Sequence, residues 1–356
     1  MPISARGFLV LVAALCMAQV SLAQSRPAPA AAKSPPAAAG GDLPAMGVVE
    51  WLERMHAAAR QRSYVGTFVV SAPAGNLSSA RIWHVCEGDL QMERIEALSG
   101  PPRSTFRRND QVVTFLPDSK VVKREKRENL ELFPNLSGAP DSAIADAYGV
   151  RAIGKDRVAG FDADVVQLVP HDGLRFGYRI WSERRSGLVV KLQTVDSESR
   201  VVEQSAFSEL QLDAPVKAQA LSQMMSNTSG YRVEKLELER SNAQDEGWML
   251  RTPVAGFKPR SFFRRPTAGS EGSGGKPKQD AATVQWTFSD GLASVSLFIE
   301  RYDAARAPRD GVLTIGATNA IRRRLPEPAG DWWLTAVGEV PQQTLNAFAQ
   351  SLARTR

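Results

Sequence analysis

The chain has 356 residues, enough for two domains with separate cores, and its 43% apolar and 23% charged content excludes a fibrous or low-complexity protein. A net charge of +6 is too small to name a partner: it suits anionic lipid, nucleic acid or an acidic protein equally.

At the N-terminus, Arg6 precedes the apolar run Phe8–Val20, and Ser21-Leu22-Ala23 supplies small residues before a cleavage point. This predicts a secretory signal peptide over 1–23, because the run is shorter than the ~20 residues needed to span a bilayer. Leu15 stands before Cys16 where a lipobox has a small residue, which argues against a lipid anchor. Cleavage leaves Cys86 as the single cysteine, so no intramolecular disulfide is expected. Its flanks read as a strand end and a turn, and the thiol is read as buried and inert. Residues 24–44 are an Ala/Pro-rich leader with nothing to build a core from.

Met46, Val49, Leu52 and Met55 recur at helical spacing and predict an amphipathic helix over Pro44–Arg60. Strands follow at Tyr64–Val70, Arg81–Cys86, Met92–Leu98, Arg103–Arg108, Val112–Leu116 and Val121–Arg127, with a two-residue hairpin turn at Asn109-Asp110. Between Asn129 and Gly149 the pattern loosens into an apolar loop at Leu130–Leu136 and a short helix at Asp141–Tyr148. Val165–Val169, Arg175–Trp181, Leu188–Val195 and Arg200–Phe207 then form a meander. Phe176, Tyr178 and Ile180 point one way, Arg175 and Arg179 the other, so one face is expected to be greasy and one wet. Residues 213–228 read as a linker turning helical at Gln219–Met225. The second unit carries strands at Trp248–Leu250, Thr283–Phe288, Leu292–Arg301, Gly311–Gly316 and Trp332–Val337, the turn Ser289-Asp290-Gly291, and a closing helix at Pro341–Leu352. Thr267–Asp280 reads as an exposed insertion.

The expected fold class is α+β: a curved antiparallel sheet or half-barrel with covering helices at 45–212, and a smaller α+β domain at 229–356.

Catalytic constellations are missing from the sequence. There is no Gly-x-Ser-x-Gly elbow, no Cys-x-x-Cys, no phosphate loop, and the three histidines are not spaced to hold a metal. No enzyme, cofactor or metal is expected. Phe68, Phe115, Phe176, Tyr178 and Ile180 are the candidates to line a trough for an apolar ligand; the same residues fit a packed core. Arg107, Arg108, Lys123 and Arg124 are the candidates for an anionic ligand; the same residues fit a solvated strand face.

Trp51-Leu52-x-x-Met55, Tyr64-Val65-Gly66-Thr67-Phe68 and Arg175–Trp181 with Ser186-Gly187-Leu188 resemble the N-terminal domain of the MucB/RseB proteins. Pro253-x-x-Gly256-Phe257, Ser289–Ser296 and Val337–Pro341 resemble that family's C-terminal domain. The resemblance implies a periplasmic regulator of an envelope-stress sigma factor. Such a protein binds the periplasmic part of a single-pass anti-sigma factor and shields it from proteolysis. It also implies a large domain similar to the carriers LolA and LolB, and release on binding a lipid, lipopolysaccharide or lipoprotein signal. Nucleic acid is not expected as a partner, since the chain leaves the cytoplasm; assembly into a homo-oligomer is compatible with this reading. The rival reading is a periplasmic lipid or lipoprotein carrier.

Overall fold

The first helix, α1 (Val48–Gln61), begins at Gly47, whose backbone N–H donates to Glu50 Oε2 at 2.8 Å. The computed structural model describes residues 46–73, 75–126, 144–236, 238–265, 283–304, 309–328 and 330–355. The signal peptide, the leader, the Leu130–Leu136 loop and the Thr267–Asp280 insertion lie outside them. The buried stripe of α1 is Val48, Trp51, Leu52, Met55 and Ala58. It is rotated slightly from the expected one: Val49 is half-buried and Trp51 is central, because the indole carries the most apolar area. Val48, Leu52 and Met55 each stabilise by ~1.5–3 kcal/mol on burial.

Strands β1 (Tyr64–Ser71), β2 (Leu77–Glu87), β3 (Leu90–Ala97), β4 (Ser104–Arg108), β5 (Gln111–Leu116) and β6 (Val121–Lys126) follow as a meander. Then come α2 (Ile144–Ala147), β7 (Tyr148–Val158), β8 (Phe161–Pro170), β9 (Gly177–Glu183), β10 (Val189–Val195) and β11 (Val201–Leu212). After α3 (Ala218–Ser226) and β12 (Arg232–Leu236), all of these strands belong to one 12-stranded open sheet, ordered β12-β6-β5-β4-β3-β2-β1-β11-β10-β9-β8-β7.

Three sequence expectations change here. β7 runs for 11 residues through a stretch in which the sequence reading placed no strand; it is an edge strand, and its charged residues hide the alternation. The single greasy face does not hold for β8 and β9. Val166 and Ile180 are 1% and 0% exposed, yet Val165 and Trp181, which point the opposite way, are only 3% and 5% exposed. Both faces are covered: Val166 and Ile180 pack under α1, and Trp181 packs in a separate cluster with Val165, Leu188 and Val190. Finally, residues 213–228 are more than a connector. Ala218, Leu221 and Met225 of α3 pack on Val85, Met92, Phe106 and Val113, and β12 adds to the first sheet by parallel pairing with β6.

The remaining chain forms β13 (Glu239–Arg240), β14 (Trp248–Leu250), β15 (Lys258–Arg265), β16 (Thr283–Ser289), β17 (Ser294–Arg301), β18 (Gly311–Ile315), β19 (Thr318–Leu325), β20 (Trp332–Gly338), α4 (Gln342–Ser351) and β21 (Leu352–Arg354). Seven of these strands make a second antiparallel sheet, β13-β15-β16-β17-β20-β19-β18, while β14 pairs with β21. Leu345, Phe348 and Ala349 of α4 close a single core over Trp286, Phe288, Leu297 and Leu334.

Candidate functional site

Register decides which candidate residues meet. Phe68 lies opposite Phe207, and Leu192 opposite both Ser205 and Ile180, so Phe68, Tyr178 and Ile180 share one face of the large sheet. Phe115 is on the other face with Val113 and Val122, beneath α3. Phe176 is buried just before β9. All five are buried, and four have identified packing: Tyr178 and Ile180 in the cluster under α1, Phe68 in the neighbouring cluster, and Phe115 against Phe106 and Tyr231 at ring distances of 5.6 and 5.4 Å.

The basic candidates also divide. Arg107 and Lys123 share a face with Phe68, while Arg108 and Arg124 stand on the α3 side. Arg107 is engaged, donating from Nε to Asn109 O at 2.8 Å and lying 3.9 Å from Glu93. A cleft of about 580 Å3 opens elsewhere, between the end of α1 and the Arg185-Ser186 turn, lined by Arg54, Arg62 and Asp213 among others. None of the nine candidates lines it.

What the fold brings together is the junction between the two sheets, centred on Arg175. Placed on the wet side by alternation, Arg175 is 4% exposed. Its Nε donates to Asp290 Oδ2 at 2.7 Å, one Nη donates to Asp172, and the other donates to Ala255 O at 3.0 Å. The guanidinium carbon lies 5.1 Å from the Phe257 ring and 5.9 Å from the Tyr148 ring. Burial alone would lower the Arg175 pKa, but the hydrogen bond and charge of Asp290, with Asp172, outweigh it and hold it up. The Tyr148 hydroxyl donates to the same Asp290 oxygen at 3.2 Å, and burial pushes that phenol well above its usual range. Asp290 Oδ1 accepts from the Leu292 and Ala293 amides at 2.9 and 2.7 Å, so both carboxylate oxygens are satisfied.

The apolar contacts interlock around this pair. Leu292 of the second sheet packs on the α1 cluster, and Leu174 of the first packs on the α4 cluster. Thr344 Oγ1 donates to Leu174 O at 2.5 Å, and Gln343 donates to Gly173 O. Gly256 turns at φ +77°, and a Cβ there would stand 2.4 Å from an Arg175 nitrogen; the close approach explains glycine in Pro253-x-x-Gly256-Phe257. Glycine at position 66 has a similar cause, since a Cβ would lie 2.7 Å from the Phe207 ring.

A second contact joins the sheets through Glu203 of β11. Its carboxylate accepts from the Ala317 amide in the β18–β19 turn at 3.2 Å, and burial pushes its pKa up despite that bond. Sequence reading missed Tyr148, Glu203 and Asp290 as contacts. The signal for the last was present, because Ser289-Asp290-Gly291 was read only as a turn. Chemically, the junction offers a buried ion pair whose groups are all engaged, suited to holding two sheets in fixed relation.

Family models described as the MucB/RseB N-terminal domain and the MucB/RseB C-terminal domain match residues 47–225 and 242–353. The chain belongs to the MucB/RseB family. It is 30% identical over 309 residues to the sigma factor AlgU regulatory protein MucB of Pseudomonas aeruginosa, covering 85% of this chain and 90% of that protein. The sigma-E factor regulatory protein RseB of Escherichia coli K12 is 22% identical over 311 residues, 87% of this chain and 91% of its own. Among solved structures, the Pseudomonas aeruginosa MucA/MucB complex matches with a TM-score of 0.66 at 26% identity, covering 86% of this chain and 99% of that one. MucB in complex with MucA(peri) matches with a TM-score of 0.63, also at 26% identity, covering 86% of this chain and 98% of that one. The Arg175 and Asp290 segments that carried the sequence resemblance are thus the two halves of this family member's sheet–sheet junction.

Proposed function

We propose that this chain is a non-enzymatic periplasmic regulator. It binds the periplasmic part of a membrane anti-sigma factor, protects it from regulated proteolysis and so restrains an envelope-stress sigma factor. The observation that carries the reading is the match of both family domains, in order, over 47–225 and 242–353, in a chain similar to MucB proteins solved with MucA. The Arg6, Phe8–Val20 and Ser21-Leu22-Ala23 pattern supports export to the periplasm. The Arg175–Asp290 junction supports a partner surface spanning both sheets, because it holds the two in one arrangement.

The reading includes release by a lipid, lipopolysaccharide or lipoprotein. Since Phe68, Phe115, Phe176, Tyr178 and Ile180 are buried, an acyl chain reaches Tyr178 and Ile180 only if α1 shifts, and Phe115 only if α3 shifts. A tagged chain pulled down from envelope extract should recover one single-pass membrane protein with a cytoplasmic sigma-binding segment. Recovery of no such protein overturns the regulator. A carrier needs only the first sheet, so a chain ending after Leu236, which keeps β12, separates the readings. A regulator loses partner protection, whereas a carrier keeps full lipoprotein or lipid transfer.

A further inference from the structure

The thiol read from sequence as inert has the surroundings of an activated one. Cys86 and His84 alternate on β2 and so face the same way, near the β2–β3 turn. His84 Nε2 lies 2.9 Å from Cys86 Sγ, and His84 Nδ1 lies 2.7 Å from Glu93 Oε1, directly across on β3. The hydrogen-bonded line sulfur–imidazole–carboxylate is the one that activates a cysteine. We propose that Cys86 is a peroxide-reactive thiol, activated by His84, with Glu93 as the positioning residue.

The arrangement is supported from every neighbouring strand. Tyr64 on β1 stacks on the His84 ring, centroids 4.9 Å apart and planes 17° apart, which fixes the imidazole. Arg107 on β4 stands 3.9 Å from Glu93 Oε2, an oxygen that is buried without a hydrogen-bond partner. Glu93 itself is 7% exposed and His84 2%. Burial by itself lowers the His84 pKa, but the hydrogen bonds to Cys86 and Glu93 and the Glu93 charge outweigh it and hold it at about 9. An imidazolium donates from both ring nitrogens, to the carboxylate on one side and to sulfur on the other. A thiolate is a far better acceptor for the second bond than a thiol is. Cys86 is only partly buried, so a small oxidant can reach it. Neither ring nitrogen is left for a metal, and among the described residues no group of His, Cys, Asp and Glu is arranged to hold one.

The step balances with hydrogen peroxide as oxidant. The Cys86 thiolate attacks one peroxide oxygen, an S–O bond forms and the O–O bond breaks. The departing hydroxide takes the His84 Nε2 proton and leaves as water, with sulfur oxidised to sulfenic acid and peroxide reduced. Cys86 is the one free cysteine among the described residues, so a thiol from outside them resolves the product.

The test compares the full chain, native and in urea, treated with hydrogen peroxide at pH 6 and trapped with dimedone for mass spectrometry. Partial burial alone makes the native thiol slower than the unfolded one; activation makes it at least about tenfold faster. C86S abolishes labelling, and H84N brings the native rate down by about tenfold. E93Q slows labelling and lowers the midpoint of the His84 15N NMR titration, a change that a purely structural role does not produce. A native rate at or below the unfolded rate overturns the proposal, as does an H84N chain, folded by circular dichroism, that reacts like the parent. If H84N does not fold, the native-to-unfolded comparison still decides.

Discussion

The two sheets meet at two carboxylates, buried Asp290 and half-buried Glu203, and the two are held very differently. Asp290 accepts from Arg175, Tyr148 and two backbone amides, while Glu203 accepts from one amide at 3.2 Å, with its pKa pushed up by burial. A buried charge that is fully paired resists removal of any partner, whereas one with a single neutral donor is itself a cost. The first contact is therefore a fixed point of the structure, and the second is a contact that conditions can loosen.

The largest expected effect comes from breaking the first. R175M leaves the buried Asp290 carboxylate without its ion-pair partner and should cost ~3–5 kcal/mol, read as a lowered urea midpoint. Adding D290L to R175M should return much of that loss, because an apolar pair removes the orphaned charge; no recovery would show that the hydrogen-bonded geometry itself is required. G256A is expected to cost ~1–3 kcal/mol, since it demands φ +77° of an L-residue and pushes a methyl group at Arg175. A chain carrying G256A with an unchanged midpoint would mean the junction tolerates displacement and is not the fixed point.

The smallest effect is expected at Glu203. A carboxylate whose folded pKa is raised contributes stability that is complete below its unfolded value of 4.5 and is lost as pH rises through the folded value. E203Q should thus raise the melting temperature slightly at pH 7 and bring no gain near pH 4. His84 imposes a second loss. Its pKa is raised from 6.5 to about 9, so its contribution is complete below 6.5 and disappears as pH rises through about 9. E203Q should leave that alkaline loss in place and H84N should remove it, which separates the two groups in one set of pH melts.

The sequence made the strands legible wherever one face was wet. Tyr64–Val70 alternates cleanly, and both it and the Asn109-Asp110 hairpin appear close to where they were expected. The edge strand β7 and the hairpin strand β19 were not legible, because their charged residues mask a two-residue period. The site was less legible still. Alternation put Arg175 in solvent because it cannot register that a second sheet arrives over the start of β9. Alternation alone parts Arg107 from Arg108 and Lys123 from Arg124; that Arg107 and Lys123 share a face follows only from pairing register. The family motifs pointed to the right segments without saying that they touch.

The parallel strand β12 has a mechanical meaning. It occupies one margin of the 12-stranded sheet, while Tyr148, whose hydroxyl reaches Asp290, begins the strand at the opposite margin. The C-terminal half therefore grips the large sheet at both rims, as a string spans a bow. Anything that forces α1 or α3 outward and changes the sheet's curvature would pull on that string.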